Sequence, residues 1–205
     1  MLTAYYSKGC DSSDLFDHLK IAEKEGYREH LNQHNVIHLN MQQFLSSCNN
    51  VEDLVKDVSS EIGMEIQDEI GIEWKENGNI TRTLAKAQLK NEKGFIFVID
   101  EWDCIFREYQ KDTEAQKKYL DYLRNLLKDQ PYVELAYMTG ILPIRKYGTH
   151  SAINMFDEIS MLNSEPYSCF MGFTEKEVED LCKQFKVSYE TMKDWYDGYH
   201  LTKKI

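Results

Sequence analysis

The sequence predicts an α/β fold in which helices cover a parallel sheet. Short runs of apolar and β-branched residues alternate with longer stretches of helical periodicity, a pattern that favours right-handed crossover units between parallel strands. The run at 95–99 (Phe-Ile-Phe-Val-Ile) contains no polar residue, which is typical of a strand covered on both faces. The fold class therefore follows from the order of the elements and from this one run.

The first half of the chain contains one predicted strand and three helical stretches. Residues 1–6 resemble the interior of a helix, whereas 36–39 (Val-Ile-His-Leu) form a β-branched run between two asparagines and predict a strand. Asn50, after Asn49, is a candidate N-cap because apolar residues recur behind it at helical spacing. A further helix is predicted at 80–91.

The second half begins with the strand at 95–99. A helix is predicted at 113–129 because its leucines and Tyr119 share one face, and Pro131 ends it. The next strand is predicted at 132–138, and a further short strand is predicted near 169–171.

The last stretch is helical in pattern. Thr174 and Glu177 have the spacing of a capping box, which predicts a helix at 174–185, and another helix is predicted at 188–195. We therefore expect an α/β core at 1–173 and the start of a small helical cap at 174–205. The first of these helices is expected to dock through Val178, Leu181 and Phe185.

Composition and charge exclude several classes of protein. The 205 residues include 24 Lys and Arg against 35 Asp and Glu, a formal net charge of −11, which repels nucleic-acid phosphates. No apolar run approaches the roughly 20 residues that span a bilayer. The five cysteines are scattered without a C-x-x-C pair, which predicts reduced thiols in a cytoplasmic protein.

The sharpest chemical signal is the pair Asp100-Glu101 at the end of the apolar run. An apolar strand that ends in two carboxylates is the Walker B pattern of nucleotide triphosphatases. A carboxylate at that position can hold Mg²⁺, and an adjacent glutamate can orient or deprotonate a water molecule. The plain alternative is a buried strand that leaves the core through a polar turn.

A second, weaker signal is Thr139-Gly140 after the strand at 132–138. In many such ATPases a polar residue at the end of the strand beside Walker B senses the γ-phosphate, although Thr-Gly is also an ordinary turn. Against both signals, none of the ten glycines is followed by lysine, so the sequence contains no G-x-x-x-x-G-K-[ST] phosphate loop.

Four motifs in order resemble a bacterial AAA-ATPase-like family that often precedes a PD-(D/E)XK nuclease-like domain. They are 97–103 (Phe-Val-Ile-Asp-Glu-Trp-Asp), 139–144 (Thr-Gly-Ile-Leu-Pro-Ile), 172–178 (Gly-Phe-Thr-Glu-Lys-Glu-Val) and 195–199 (Trp-Tyr-Asp-Gly-Tyr). The resemblance implies a P-loop NTPase-like sheet of the AAA type, with ATP and Mg²⁺ as cofactors.

The same resemblance implies roles for particular residues. Asp100 would bind the metal, and Glu101 and Thr139 would be the catalytic and sensor residues. Asp103 would either support this pair or lie on the surface just past the strand. The segment at 195–199 is a family signature, for which we expect aromatic packing with Gly198 ending a helix.

In the family, the helix that matches 1–6 directly follows the phosphate loop. The chain is therefore expected to lack the first strand and the loop, and to be inactive by itself. The absent strand is expected to lie against the Walker B and sensor strands, which predicts a marginally stable or self-associating chain.

Other functions remain as alternatives. The chain can be a non-catalytic interaction module, or a gene remnant, that binds a protein partner. His30, His34 and His38 have a spacing that suits metal ligands only on a continuous helix, and the predicted strand at 36–39 interrupts it. A nuclease is not expected, because no P-D…(D/E)-x-K arrangement follows a strand.

Overall fold

A computed structural model of the chain describes residues 1–75, 78–143, 155–160, 164, 166–170 and 172–196. Residue contacts divide the chain into two compact units, Met1–Met155 and Phe156–Ile205. The predicted boundary after residue 173 stays a prediction, as does the role of 174–205 as a cap. No helix in the described ranges has the length and apolar character needed to cross a membrane.

The first unit contains a three-stranded parallel sheet, as predicted. Strands β1 (Asn35–Asn40), β2 (Phe95–Asp100) and β3 (Val133–Met138) lie in the order β1-β2-β3. Ile99 of β2 is paired with Leu39 on one side and with Met138 on the other.

Strand β2 is thus central and paired along both edges, while β3 lies at an edge among the described strands. The expectation that an absent strand lies against both β2 and β3 is therefore wrong for β2, because its two edges are already hydrogen-bonded to β1 and β3.

Helices of very different length surround the sheet. Side chains on the long helices and on β2 are fully buried, including Leu54, Leu84, Phe97 and Leu123, so the core lies between the sheet and these helices. Among the described residues of the first unit, the helices are α1 (Leu2–Tyr6), α2 (Ser13–Phe16), α3 (Tyr27–His30), α4 (Met41–Ser47), α5 (Val51–Ile70), α6 (Ile80–Asn91), α7 (Cys104–Glu108) and α8 (Thr113–Leu127), with a 3₁₀ turn at Lys20–Glu23.

The ends of the long helices follow local sequence chemistry. Oδ1 of Asn50 accepts a hydrogen bond from the amide of Asp53 at 2.8 Å, which confirms the predicted N-cap of α5. The helix ends at Gly71, whose φ of 71° lies in the left-handed region that glycine adopts without strain. Capping therefore fixes both ends of the longest helix.

The second unit contains α9 (Glu175–Phe185), α10 (Tyr189–Tyr196) and a 3₁₀ turn at Ser168–Phe170. Thr174 and Glu177 form the predicted capping box, with the Thr174 amide donating to Glu177 at 2.9 Å. The helices are confirmed at these positions. The strand predicted near 169–171 is wrong for 169 and 170, because the 3₁₀ turn occupies these positions, and Met171 lies outside the described residues.

The packing expected of the second unit is not observed. Leu181 is exposed, Phe185 is 67% exposed, and the aromatic rings of Trp195 and Tyr196 are exposed rather than packed. The physical reason is a small core: among the described residues of this unit only Ser164 and Cys182 are buried. Gly198, the expected helix stop, lies outside the described residues.

Candidate functional site

The carboxyl end of β2 brings together the three residues singled out by the sequence. Asp100 is the last residue of β2, and Thr139 directly follows β3. The Thr139 hydroxyl donates a hydrogen bond to Oδ1 of Asp100. The amide of Glu101 donates to the same oxygen at 3.1 Å. Both neighbouring residues therefore orient the Asp100 carboxylate.

Backbone pairing continues past the ends of the two strands. The Thr139 amide donates to the Ile99 carbonyl at 2.9 Å, and the Trp102 amide donates to the Thr139 carbonyl at 3.1 Å. These bonds fix the position of Thr139 against Asp100. The hydroxyl–carboxylate contact thus follows from the register of a parallel pair, which is why two signals 39 residues apart in the sequence meet.

Glu101 has a backbone conformation that is uncommon for its residue type. Its φ of 55° lies in the left-handed region. Its carboxylate, which is partly exposed, accepts a charge-assisted hydrogen bond from Nη2 of Arg107 on α7. Nothing in the spacing of the sequence pointed to Arg107, since the contact depends on the sharp turn after β2.

Asp103 lies inside the protein, so the alternative of a surface position is wrong. Its side chain is fully buried at the start of α7. Oδ2 accepts hydrogen bonds from the amides of Ile141 at 3.0 Å and Leu142 at 2.8 Å. Asp103 therefore holds the segment that follows Thr139, and two backbone donors supply the hydrogen bonds that its buried Oδ2 needs.

Gly140 allows this segment to approach the turn after β2. A Cβ atom at this position would lie 2.7 Å from Cδ1 and Nε1 of Trp102 and 2.8 Å from Oδ1 of Asp103. Only a residue without a side chain fits such a gap unless the neighbours shift. Packing therefore favours glycine at position 140, directly after Thr139.

A fourth segment reaches the site from β1. Asn40 is paired with Asp100 in the sheet register, and its side chain caps α4 by accepting from the Gln43 amide at 3.0 Å. Oε1 of Gln42 accepts a hydrogen bond from Arg107 at 3.2 Å. Gln42 was not among the predicted site residues, although a polar residue after a strand was a usable signal.

The nearby Cys104 is not a candidate nucleophile. It is fully buried, and burial raises the pKa of its thiol to about 12, so the thiol stays protonated near neutral pH. Tyr119, also buried, donates to the Trp102 carbonyl at 2.7 Å, and burial raises the pKa of its hydroxyl well above 10. Both groups support the turn after β2 by packing.

The three histidines do not share a helix face. Nδ1 of His30 lies 3.1 Å from Nε2 of His34, and Nδ1 of His34 lies 3.0 Å from Oε2 of Glu134. His38 is exposed on β1. Within the described residues, no group of three or more His, Cys, Asp or Glu side chains has the arrangement of a metal site.

The donor set at the end of β2 nevertheless fits Mg²⁺. The second oxygen of Asp100 accepts no hydrogen bond from the described residues, and the site offers oxygen atoms from two carboxylates and a hydroxyl. Mg²⁺ is typically held by one or two carboxylates together with waters and substrate phosphates. A site with few protein ligands is what that ion uses.

The chain is similar to a known protein family and to a curated protein. A family model described as "Predicted AAA-ATPase" matches residues 1–149. A curated protein of Azotobacter chroococcum mcd 1, named "Uncharacterized protein in vnfD 5'region", is 26% identical over 125 residues. This alignment covers 58% of the chain and 24% of the relative, so the chain spans about a quarter of that protein. No solved structure matches.

Proposed function

We propose that this chain, which belongs to the predicted AAA-ATPase family, carries the magnesium-binding and water-activating part of a site for ATP hydrolysis. The observation that carries the proposal is the hydrogen bond from Thr139 to Asp100, which joins the ends of two neighbouring parallel strands. Ligands of open α/β sheets bind at this edge, outside the carboxyl ends of the strands.

Each residue has a role that matches its surroundings. Asp100 would hold Mg²⁺ through the oxygen that accepts no hydrogen bond, while Thr139 and the Glu101 amide keep the carboxylate in place. Glu101 would accept a proton from the attacking water. When bound, Mg²⁺ neutralises charge on the phosphate oxygens. Thr139 would report the position of the γ-phosphate.

The phosphate-binding part of such a site is not encoded in these residues. No glycine is followed by lysine, and the loop that needs this pair supplies the backbone amides and the ammonium group that hold the phosphates. The proposal therefore assigns hydrolysis to a longer protein and weak nucleotide binding to the 205 residues. The association with a nuclease-like domain belongs to the same proposal.

Binding of Mn²⁺, a paramagnetic substitute for Mg²⁺, tests the metal site on the chain itself. The loss of the free-ion electron paramagnetic resonance signal is titrated for the wild type, Asp100→Asn and Asp121→Asn. We expect weak binding that Asp100→Asn reduces severalfold. The partly exposed Asp121, which pairs with Arg124 on α8, is the matched control for the lost charge. Equal effects of the two substitutions would contradict the proposal.

An interaction module is the second candidate function. It is favoured by the exposed aromatic side chains of the second unit: Phe170, Phe173, Phe185, Trp195 and Tyr196. On this alternative, substitution of Phe173 and Trp195 by serine abolishes capture of a protein partner, whereas Asp100→Asn changes nothing measurable. Mn²⁺ binding that weakens in Asp100→Asn, but not when Phe173 and Trp195 are replaced by serine, favours the ATPase.

A further inference from the structure

Arg107 is the charged residue that connects the segments around the candidate site. Its Nη2 donates to Oε2 of Glu101 and, at 3.2 Å, to Oε1 of Gln42. Its Nε lies 3.6 Å from Oδ1 of Asp103. One guanidinium group thus contacts side chains from the turn after β2, from the start of α7 and from α4.

Two of these atoms lack a hydrogen bond. Oδ1 of Asp103 and Nε of Arg107 are both buried, and neither has a hydrogen-bond partner among the described residues. Leaving a buried polar atom of a charged group without a hydrogen bond is costly. A charge-assisted N–H···O bond is about 2.8 Å long, so a shift of roughly 1 Å would close this gap.

We propose that Arg107 is a latch that holds the Glu101 carboxylate in this structure, and that Asp103 receives the guanidinium when Glu101 is released. The inference rests on the proposed function, because the latch matters only where Glu101 must be free to accept a proton. While Arg107 holds Oε2, the carboxylate is committed to an ion pair. Release turns the same carboxylate toward water or metal without leaving the guanidinium unpaired.

The second acceptor also connects the latch to the segment after Thr139. Oδ2 of Asp103 accepts from the amides of Ile141 and Leu142, while Oδ1 is the free position near Arg107. Any displacement of this segment moves the carboxylate that Arg107 would bind. The position of the segment after β3 is thereby coupled to the availability of Glu101.

Nuclear magnetic resonance of ¹⁵N-arginine tests the latch without any ligand. The chain has five arginines, and the spectrum of Arg107→Gln assigns the signal. In the wild type we expect slow exchange of the Arg107 Nη protons. In Glu101→Ala these protons should exchange faster, because Nη2 keeps only the bond to Gln42, while the Nε proton should exchange more slowly because it now bonds to Asp103. Nη signals unaffected by Glu101→Ala would overturn the latch, and an unchanged Nε signal would overturn the transfer to Asp103.

Mn²⁺ titration supplies an independent test of what the latch controls. Arg107→Gln should tighten binding about three- to tenfold, where tenfold corresponds to about 1.4 kcal/mol. This gain should vanish in Arg107→Gln/Glu101→Ala compared with Glu101→Ala alone, because it requires the freed carboxylate. Arg124→Gln removes the same charge from the partly exposed pair with Asp121 and should change nothing. An equal gain without Glu101 would show a general charge effect and would overturn the latch.

The two measurements separate the latch from the proposed function. If Asp100→Asn leaves Mn²⁺ binding unchanged, the proposed magnesium site is wrong, yet the exchange of the Arg107 protons still decides whether the ion pair and its alternative partner exist. If the metal site is confirmed and the Arg107 protons exchange fast in the wild type, the latch alone is wrong.

Discussion

Thr139 donates its hydroxyl proton to Oδ1 of Asp100 across the ends of two parallel strands. This bond is possible because backbone pairing continues from Ile99 to Thr139, one residue past the regular strands. The Asp100 carboxylate is held on one oxygen and left open on the other among the described residues. An oriented carboxylate with one open oxygen is suited to a metal that keeps most of its own waters.

Replacing Thr139 by valine should remove this hydrogen bond and no other interaction of comparable energy. We expect the free energy of unfolding to fall by about 1 kcal/mol, the usual net value of one hydrogen bond, because Oδ1 keeps only the Glu101 amide. Urea denaturation measures the change. Thr139→Ser keeps the hydroxyl and is the control. A Thr139→Val protein as stable as the wild type would mean that the hydroxyl does not stabilise the site.

Gly140→Ala tests the close approach of the segment after β3 to Trp102. The added Cβ would meet the indole ring at 2.7 Å, so the segment must move. We expect a loss of about 1–3 kcal/mol in urea denaturation, as for overpacked positions. Gly9→Ala is the matched control, because its Cβ would meet only Oγ of Ser7 at 3.7 Å. A Gly140→Ala protein as stable as Gly9→Ala would contradict the packing argument.

Local sequence patterns predicted the features that depend on residues close together in the sequence, such as strands and helix caps. The unbroken run in β2, the Asn50 cap and the capping box at Thr174 all lie where the sequence placed them. Asp100 and Thr139 were also found, since the ends of neighbouring parallel strands meet. Each of these features depends on periodicity, on a cap or on strand order.

Contacts set by tertiary packing could not be predicted. The burial of Asp103 depends on the backbone amides of a distant segment, and the Arg107–Glu101 pair depends on a left-handed turn that the residue type disfavours. The exposure of Leu181 and Phe185 also depends on tertiary packing and could not be predicted. Helical periodicity identifies an apolar face, but it does not supply the core against which that face would pack.

Thr174→Ala should loosen the start of α9. The substitution removes the hydroxyl that accepts from the Glu177 amide at 3.3 Å, and an N-cap of this kind contributes about 1 kcal/mol. Amide hydrogen exchange at 175–178 should become about fivefold faster, which corresponds to about 1 kcal/mol at 25 °C. Thr174→Ser keeps the cap and should exchange like the wild type. Unchanged exchange in Thr174→Ala would show that the cap contributes nothing.

The nucleotide should bind the 205-residue chain only weakly. The residues at the end of β2 that face the proposed magnesium site include Asp100 and Glu101, both negatively charged, and Arg107 is already engaged with Glu101. No Gly-Lys pair supplies the amides and the ammonium group that neutralise the β- and γ-phosphates. We therefore expect an ATP dissociation constant no better than millimolar, which is about −4 kcal/mol, and no hydrolysis above background.

Titration calorimetry with Mg²⁺ and ATP and a phosphate-release assay check this expectation. Both are also run on a longer protein that carries an upstream strand and a Gly-Lys-Ser/Thr loop in frame. The longer protein should bind ATP and release phosphate, because the loop supplies the positive groups that this site lacks. In that protein Glu101→Gln should abolish turnover and spare binding, since the amide cannot accept the proton of the attacking water. Asp121→Asn, which removes a charge paired with Arg124 on α8, should leave both unchanged. Tight ATP binding by the 205 residues alone would mean that the phosphates are held by groups other than those assigned to this site.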